Sequence, residues 1–435
     1  MNVYSWKIMM RYTVITDRYL IIDVIFVILL KILIEMELNE SFWSFIEQNI
    51  DSNVSKIRLK YHSCKDLNFD IDFAITQIDS RQKSKKKLPG FIAYKEFLFP
   101  TTLSSEQSTS EILANFHSEI IGEGDSMLDM TCGLGIDVIF ASRKYKTVTA
   151  IDINPIVTQC LKHNLKLLSI DNVNVINKDS IDYLTNSEVK YDSIFIDPAR
   201  RSVTNKRTFA FDDCEPNIMQ HYDLIKSHCN TLYIKASPML DISMLIESNL
   251  NISDIWILSI KNECKEIFIK CDMTSDVKNI VKVHAVDFIA YDTKIVFEYE
   301  WGCEDKYCLD FISQADDMCN KWLYEPNSSL MKCACWRELL MKYPNLVKLH
   351  PNTHLFVSEV FYDHFPGRVK RILGVYSNKS KELSSLKGQY INIVCRNYGE
   401  SVANVKKRYK TNDGGNRFLY CCRYSNNKSA ILLVE

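Results

Sequence analysis

Ser126-Met127-Leu128-Asp129-Met130-Thr131-Cys132-Gly133-Leu134-Gly135-Ile136-Asp137 decides the fold of this chain. A short apolar run ends on a carboxylate, a glycine turn follows, and apolar residues resume at once, which is the pattern of a strand, a tight loop and a helix start. Gly133 and Gly135 let the backbone turn sharply and approach a ligand where a Cβ would collide. The dinucleotide fingerprint wants a third glycine three residues after Gly135, and Val138 stands there, so the loop is a poor nicotinamide motif.

Three further runs downstream also lead to aspartates: Val148-Thr149-Ala150-Ile151-Asp152, Val173-Asn174-Val175-Ile176-Asn177-Lys178-Asp179 and Ser193-Ile194-Phe195-Ile196-Asp197. They read as successive buried parallel strands. In an open α/β sheet, ligands bind outside the carboxyl ends of the strands, so the four aspartates are expected to face one crevice. A row of acceptors suits a cationic sulfonium that carries a free amino group and a ribose diol, which points to S-adenosylmethionine (SAM). Asp152 lies about twenty residues after the glycine turn, where an acidic side chain accepts from both ribose hydroxyls. Asp179 would accept from the adenine exocyclic amine. The expected cofactor-binding set is Asp129, Thr131, Cys132, Gly133, Gly135, Asp152, Ile153, Asn154, Asp179, Ser180 and Asp197. Each aspartate can also be read as a helix cap.

Leu232-Tyr233-Ile234-Lys235 fits a fifth strand, and Ile255 to Leu258 with Glu266 to Ile269 would close the sheet as an antiparallel pair. Such a closing hairpin is typical of methyltransferases rather than dehydrogenases. Asp197-Pro198-Ala199-Arg200-Arg201 follows the fourth strand, where nucleic-acid methyltransferases carry Asp or Asn and then Pro, a rigid acceptor aimed at the target base. Amino-methylating enzymes add an aromatic that stacks on a flipped base; Ala199 and Arg200 stand here instead. Uridine carbon-methylating enzymes need a cysteine after the fifth strand, and Lys235-Ala236-Ser237-Pro238 offers serine, which argues against covalent base activation. Direct in-line displacement remains, with Asp197, Pro198 and Arg200 as the expected catalytic residues. Arg200 and Arg201 suit a phosphate grip or a surface ion pair.

At 435 residues the chain is too long for one ordinary core. Hydrophobic content of 46% and charged content of 25% are those of a soluble globular protein and exclude disorder. The net charge of -1 hides two basic runs, Arg81 to Lys87 and Lys406 to Lys410, which leave a polyanion partner open. Fifteen cysteines, an odd number without a Cys-x-x-Cys pair, favour reduced thiols in a cytoplasmic protein over disulfides or a metal. Leu20 to Ile34 carries Asp23 and Lys31 and is shorter than the roughly 20 residues of a membrane span, so no stable membrane association is expected. Met36-Glu37-Leu38-Asn39-Glu40 looks like an ordinary soluble amino terminus, and residues 1–35 are read as an extension.

Glu40 to about Ile121 is patterned as helix, with Phe42, Phe45, Ile46 and Ile50 at helical spacing. Glu106-Gln107-Ser108 is either a segment that folds over the cofactor or the start of a capped helix, with Ser105 or Ser108 as its cap. After Val277 come β-rich segments, a helical stretch around Asp310 to Leu323, and a final α+β unit in which Asn412-Asp413-Gly414-Gly415-Asn416 supplies the turn.

The chain resembles the bacterial class I SAM-dependent methyltransferases that carry a THUMP-like carboxyl-terminal domain. The resemblance rests on Gln77-Ile78, Lys85 to Pro89, Leu103 to Ser108, Asp129 to Asp137, Asp197 to Arg201, Lys235 to Asp241, Tyr324-Glu325-Pro326-Asn327, Asn352-Thr353-His354, Phe365-Pro366-Gly367-Arg368 and Asp413-Gly414-Gly415. The chain departs from the family at Cys132, where glycine is expected. The resemblance implies an α/β fold: a helical domain over 36–121, a Rossmann-like methyltransferase domain over 122–275, a ferredoxin-like α+β domain over 276–367 and the THUMP-like domain over 368–435. THUMP domains are associated with RNA, so it also implies an RNA partner, by analogy. The alternatives are an RNA-binding protein with a regulatory or vestigial SAM pocket, and a small-molecule methyltransferase.

Overall fold

The computed structural model describes residues 38–62, 67–200, 211, 214–275, 277, 280–302, 309–378 and 380–435. The expected extension over 1–35 and the start at Met36 lie outside the described residues. The chain divides into two compact units, residues 1–194 and 195–435.

In the first unit, Asn39 accepts a hydrogen bond from the Phe42 N–H at 3.0 Å and opens helix α1 (Glu40–Asn49). Helices α2 (Val54–Tyr61) and α3 (Ile71–Ser84) complete a bundle around Phe42, Phe45, Ile46, Ile57, Ala74, Ile75 and Ile78. Two short helices, α4 (Pro89–Ile92) and α5 (Thr102–Gln107), lead to α6 (Glu111–Ile121). The caps of α5 and α6 are Thr101 and Ser110, rather than Ser105 or Ser108.

The loop from Tyr94 to Phe99 has turn bonds at Tyr94 and Phe97 but no ladder partner, and buried side chains satisfy other backbone groups in it. Gln77 on α3 clasps the N–H and the carbonyl of Phe99, each at 2.9 Å. The Arg81 guanidinium donates to the carbonyls of Lys95 at 2.6 Å and Phe97 at 2.7 Å. Burial lowers the Arg81 pKa to about 10. Lys83 pairs with Asp79 and Glu106, and Lys87 donates to the Glu106 carbonyl at 2.7 Å, at the end of α5. The first basic run therefore commits three of its charges to contacts within the chain.

Strands β1 (Gly124–Asp129), β2 (Tyr145–Asp152) and β3 (Val173–Asn177) are parallel, with Asp129 opposite Ala150 and Asp152 opposite Asn177. Their order with β4 (Tyr191–Ile196) is β4-β1-β2-β3, as in one half of a doubly wound sheet. Helices α7 (Ile136–Ala141), α8 (Pro155–Leu167) and α9 (Ser180–Thr185) connect them. Asn164 on α8 is fully buried and clasps the Leu98 N–H (2.8 Å) and carbonyl (2.9 Å), which ties the helical part to this sheet.

The second unit begins with a short pair, β5 (Ala199–Arg200) and β6 (Cys214–Glu215), followed by helix α10 (Tyr222–Ser227). Strand β7 (Cys229–Ala236), helix α11 (Ile242–Glu247), β8 (Ile252–Ile260) and β9 (Glu263–Asp272) come next. The hairpin places β9 between β7 and β8, antiparallel to both. Its two-residue turn, Lys261-Asn262, has both φ angles positive (50° and 64°), as a type I′ turn requires. Asp287 holds the turn by accepting from the Asn262 N–H (3.0 Å) and the Ser259 hydroxyl (2.7 Å).

Beyond 276 the structure differs from the expected partition. Strands β10 (Lys282–Ala290) and β11 (Thr293–Glu300) do not open a new domain, since β10 runs parallel to β8 and extends its sheet. The stretch from Asp310 to Leu323 is not a helix either. Its helical turn is limited to a 3₁₀ segment, Ala315–Met318. Then β12 (Trp322–Pro326), helices α12 (Ser328–Cys333) and α13 (Trp336–Lys342), β13 (Val347–His350), β14 (Thr353–Ser358) and β15 (Gly367–Tyr376) follow.

With β16 (Asn392–Arg396), helix α14 (Val402–Tyr409), β17 (Phe418–Tyr424) and β18 (Lys428–Val434), they form a second sheet in the order β13-β14-β12-β15-β18-β17-β16. Alternation puts Tyr420 and Cys422 in one core and Leu419 and Cys421 in the other. β16 and β17 are parallel, so Asn412 to Asn416 ends a crossover through α14 instead of joining a hairpin. Among the described residues the cysteines are free thiols, and no helix is long and apolar enough to cross a membrane.

Candidate functional site

The carboxyl ends of β1 and β2 form one built cluster. Asp129, 1% exposed, accepts from the Thr131 N–H at 2.9 Å, which starts the turn. The Cys132 N–H donates to the Ile151 carbonyl at 2.9 Å, and the Gly135 N–H to the Cys132 carbonyl at 2.8 Å. Gly133 and Gly135 both have positive φ (50° and 84°), and a Cβ on Gly135 would lie 2.3 Å from Leu161 Cδ1. The glycine at 135 therefore serves close packing of the loop on α8.

Asp152 ties the second strand to that loop. Its Oδ2 accepts from the Gly133 N–H at 3.1 Å and its Oδ1 from the Asn154 N–H at 2.8 Å. Burial pushes its carboxyl above the usual carboxylate value, while these two backbone bonds pull it back down. Each oxygen retains a lone pair for a further donor. Beside it Ile153 is 70% exposed, an apolar side chain at the strand end. Asn154 caps α8 through the Ile156 N–H at 3.0 Å.

Asp179 lies past the end of β3 and caps α9, its Oδ1 accepting from the N–H groups of Ile181 (2.8 Å) and Asp182 (3.0 Å). The capping role is thus real at this position, and Ser180 is buried at the helix start. Cys132 is buried too. Burial above all, with the charges of Asp129 and Asp152, holds its thiol well above the ordinary range, so it is no nucleophile.

A second layer behind the turn escaped the sequence reading. Asp137, in the first turn of α7, accepts from His117 Nδ1 at 2.8 Å through Oδ1 and from the Thr109 hydroxyl through Oδ2. His117 is 1% exposed on α6, and Thr109 lies in the loop after Glu106-Gln107-Ser108. That segment is thereby fastened to the glycine turn.

In the second unit, Asp197 is held by Lys235 at the end of β7, with Nζ 2.6 Å from Oδ2. The lysine side chain is 11% exposed and the aspartate 38%. Nothing local in Lys235-Ala236-Ser237-Pro238 marks the lysine as the partner of Asp197. Pro198 leads into β5, where Ala199 pairs with Glu215 and Arg200 with Cys214. Arg201 lies outside the described residues.

A solved structure from Porphyromonas gingivalis W83, described as a "putative methyltransferase", covers 91% of this chain and 97% of its own, with 26% identity and a TM-score of 0.77. Family models match in three places: conserved hypothetical protein 95 over residues 86–210, a ferredoxin-like domain over 322–366, and a THUMP domain-like region over 367–435. The chain belongs to the class I methyltransferases with a THUMP-like carboxyl-terminal domain. An uncharacterized RNA methyltransferase of Mycoplasma mobile is 26% identical over 159 residues, 34% of this chain and 44% of the relative, so the chain spans less than half of that relative's length. In this methyltransferase the N–H groups of Thr131, Cys132, Gly133 and Gly135 are all used inside the fold, so acceptors dominate the polar groups at these strand ends. Asp152 presents two oxygens, Ile153 an apolar face, and the turn exposes backbone rather than side chains.

Proposed function

We propose that the chain binds SAM at the ends of β1–β3 and methylates a base in RNA by direct in-line displacement. The observation that carries the cofactor assignment is Asp152, locked to the Gly133 and Asn154 N–H groups with the exposed Ile153 beside it. Asp152 accepts from the ribose hydroxyls, Ile153 covers one face of the adenine, and Asp129 receives the amino group. Asp179, with one oxygen engaged in its cap, offers the other to the adenine amine. When bound, SAM supplies a methyl group already activated by its sulfonium.

The protein then has little bond chemistry left to perform beyond alignment and removal of one proton. Asp197 is assigned that task. Lys235 holds its carboxylate in place, so it accepts a hydrogen bond from the target base and receives its proton during or after transfer. Pro198 removes freedom from the segment that carries it. The serine at 237 offers no thiolate, which favours a direct path over a covalent base adduct. Support for RNA comes from the name of the Mycoplasma mobile relative and from the THUMP domain-like match over 367–435.

The test is incubation of the full chain with methyl-labelled SAM and total cellular RNA. Incorporation into RNA is expected, and Asp197→Ala should reduce it by about 10²-fold or more, the scale of a lost acid–base group. Unchanged incorporation in Asp197→Ala would remove that residue from the mechanism. SAM binding without incorporation into any RNA would overturn RNA as the substrate.

A further inference from the structure

Tyr324-Glu325-Pro326-Asn327, Asn352-Thr353-His354 and Phe365-Pro366-Gly367-Arg368 play no part in the site at the ends of β1–β3. The second sheet nonetheless brings two of them together around one buried carboxylate. Glu325 on β12 is 4% exposed and lies opposite Arg368 on β15. The two strands approach so closely that a Cβ on Gly367 would sit 2.1 Å from the Glu325 carbonyl oxygen. The Tyr420 hydroxyl donates to Oε2 at 2.8 Å from β17, and Arg368 Nη1 lies 3.7 Å from the same oxygen. From β16, Arg396 donates to Oε1 through Nε at 2.9 Å and Nη2 at 2.6 Å.

One carboxylate thus faces two guanidinium groups. A buried ion pair needs one cation, so the second is surplus to structure. Among the described residues Arg368 donates no hydrogen bond, and Arg396 leaves Nη1 without one. Both side chains are about half exposed, at 53% and 44%. Lys370 stands two residues beyond Arg368 on the same face of β15, its ammonium 4.2 Å over the Phe418 ring. Burial first, and then the charge of Arg368, pulls the Lys370 pKa down against the smaller opposing effect of Glu435, which marks the two cations as close neighbours. This positive charge comes from two strands distant in sequence, β15 and β16, and Glu325 fixes the direction of its forks.

We propose that Arg368, Arg396 and Lys370 form a phosphodiester-binding site that grips the backbone of the RNA, with Glu325 as the residue that positions the guanidinium groups. Arg groups present planar forks that match phosphate oxygens in pairs. The inference rests on the RNA reading above. The closing experiment separates the two.

RNA binding by the full chain is measured over a range of salt for wild type, Arg368→Gln, Lys370→Gln and Arg368→Lys. Each phosphate contact contributes about 0.7 to the slope of log K against log salt for single strands. Each glutamine variant should therefore lower the slope by about that amount and weaken binding several-fold at low salt. Arg368→Lys should keep the slope, since the charge remains, and calorimetry should show S-adenosylhomocysteine affinity unchanged in every variant. RNA binding by wild type with equal slopes in the variants would overturn this site alone. A wild type that binds no RNA would overturn the RNA reading and this site together.

Discussion

Asp152→Asn is the sharpest perturbation of the cofactor site. Both oxygens of Asp152 already accept a backbone N–H, from Gly133 at 3.1 Å and Asn154 at 2.8 Å. Asparagine can present its carbonyl to only one of them, and its NH₂ must face the other. One N–H then lacks its acceptor, at a cost of about 1–3 kcal/mol to the loop. The ribose loses one charge-assisted hydrogen bond as well, worth about 1.5–3 kcal/mol, so the Kd for S-adenosylhomocysteine should rise roughly 10- to 100-fold. Isothermal calorimetry with that product avoids turnover. Ile153→Ala serves as an orthogonal probe, because the side chain is exposed and its loss disturbs no core. It should weaken binding about 5- to 15-fold through lost apolar contact, and Ile153→Leu should restore it. If Asp152→Asn binds within twofold of wild type, the ribose does not sit at this carboxylate and the pocket has been misread.

Two further outcomes follow from groups outside the pocket. Asp137→Ala removes the acceptor shared by two buried donors, His117 and Thr109, and should cost about 2–5 kcal/mol of unfolding free energy. Asp137→Asn should retain much of that stability, because its oxygen can take the His117 N–H and its NH₂ can donate to the Thr109 hydroxyl; equal losses in denaturant titrations would refute the assignment. His284 stacks on Trp256 with ring centroids 4.8 Å apart and lies between Asp254 (3.2 Å) and Glu298 (2.8 Å). Burial lowers its pKa, but the two carboxylates outweigh burial and raise it overall. A raised histidine pKa stabilises fully below the unfolded value of about 6.5 and loses that contribution as pH climbs through the folded value. Tm should therefore fall between pH 6 and 9 by more in wild type than in His284→Gln, and parallel profiles would sink this account.

The parallel strands were legible because burial on both faces writes itself as continuous apolar runs, and Ser193 to Ile196 is such a run. The closing hairpin was legible for the same reason. What failed was pairing at a distance. Nothing local in Lys282 to Ala290 says that it runs parallel to β8, since a β-rich segment can extend one sheet or begin another. Asn412 to Asn416 has hairpin composition, yet α14 lies between the strands it serves, and the positive φ of Gly414 and Gly415 ends a crossover. The aspartate at 179 was legible as a strand-end acid and as a helix cap, and the structure shows the cap at atomic contact.

Charge was the least legible property, for a physical reason. A run such as Arg81 to Lys87 counts as a basic patch in sequence, but a guanidinium is also an efficient clasp for backbone carbonyls. Arg81 serves the stretch between Tyr94 and Phe99 in that way, while Lys83 and Lys87 close onto α5. The second run is similarly engaged, with Lys406 paired to Asp413 and Arg408 to Glu400. The surplus charge instead gathers from Arg368, Lys370 and Arg396, none of which lies in either run. In a sheet, register places side chains from distant segments across from one another, so a cationic surface is a property of strand pairing. A search for anion sites in this chain should therefore begin with half-exposed arginines whose carboxylate partner is already shared.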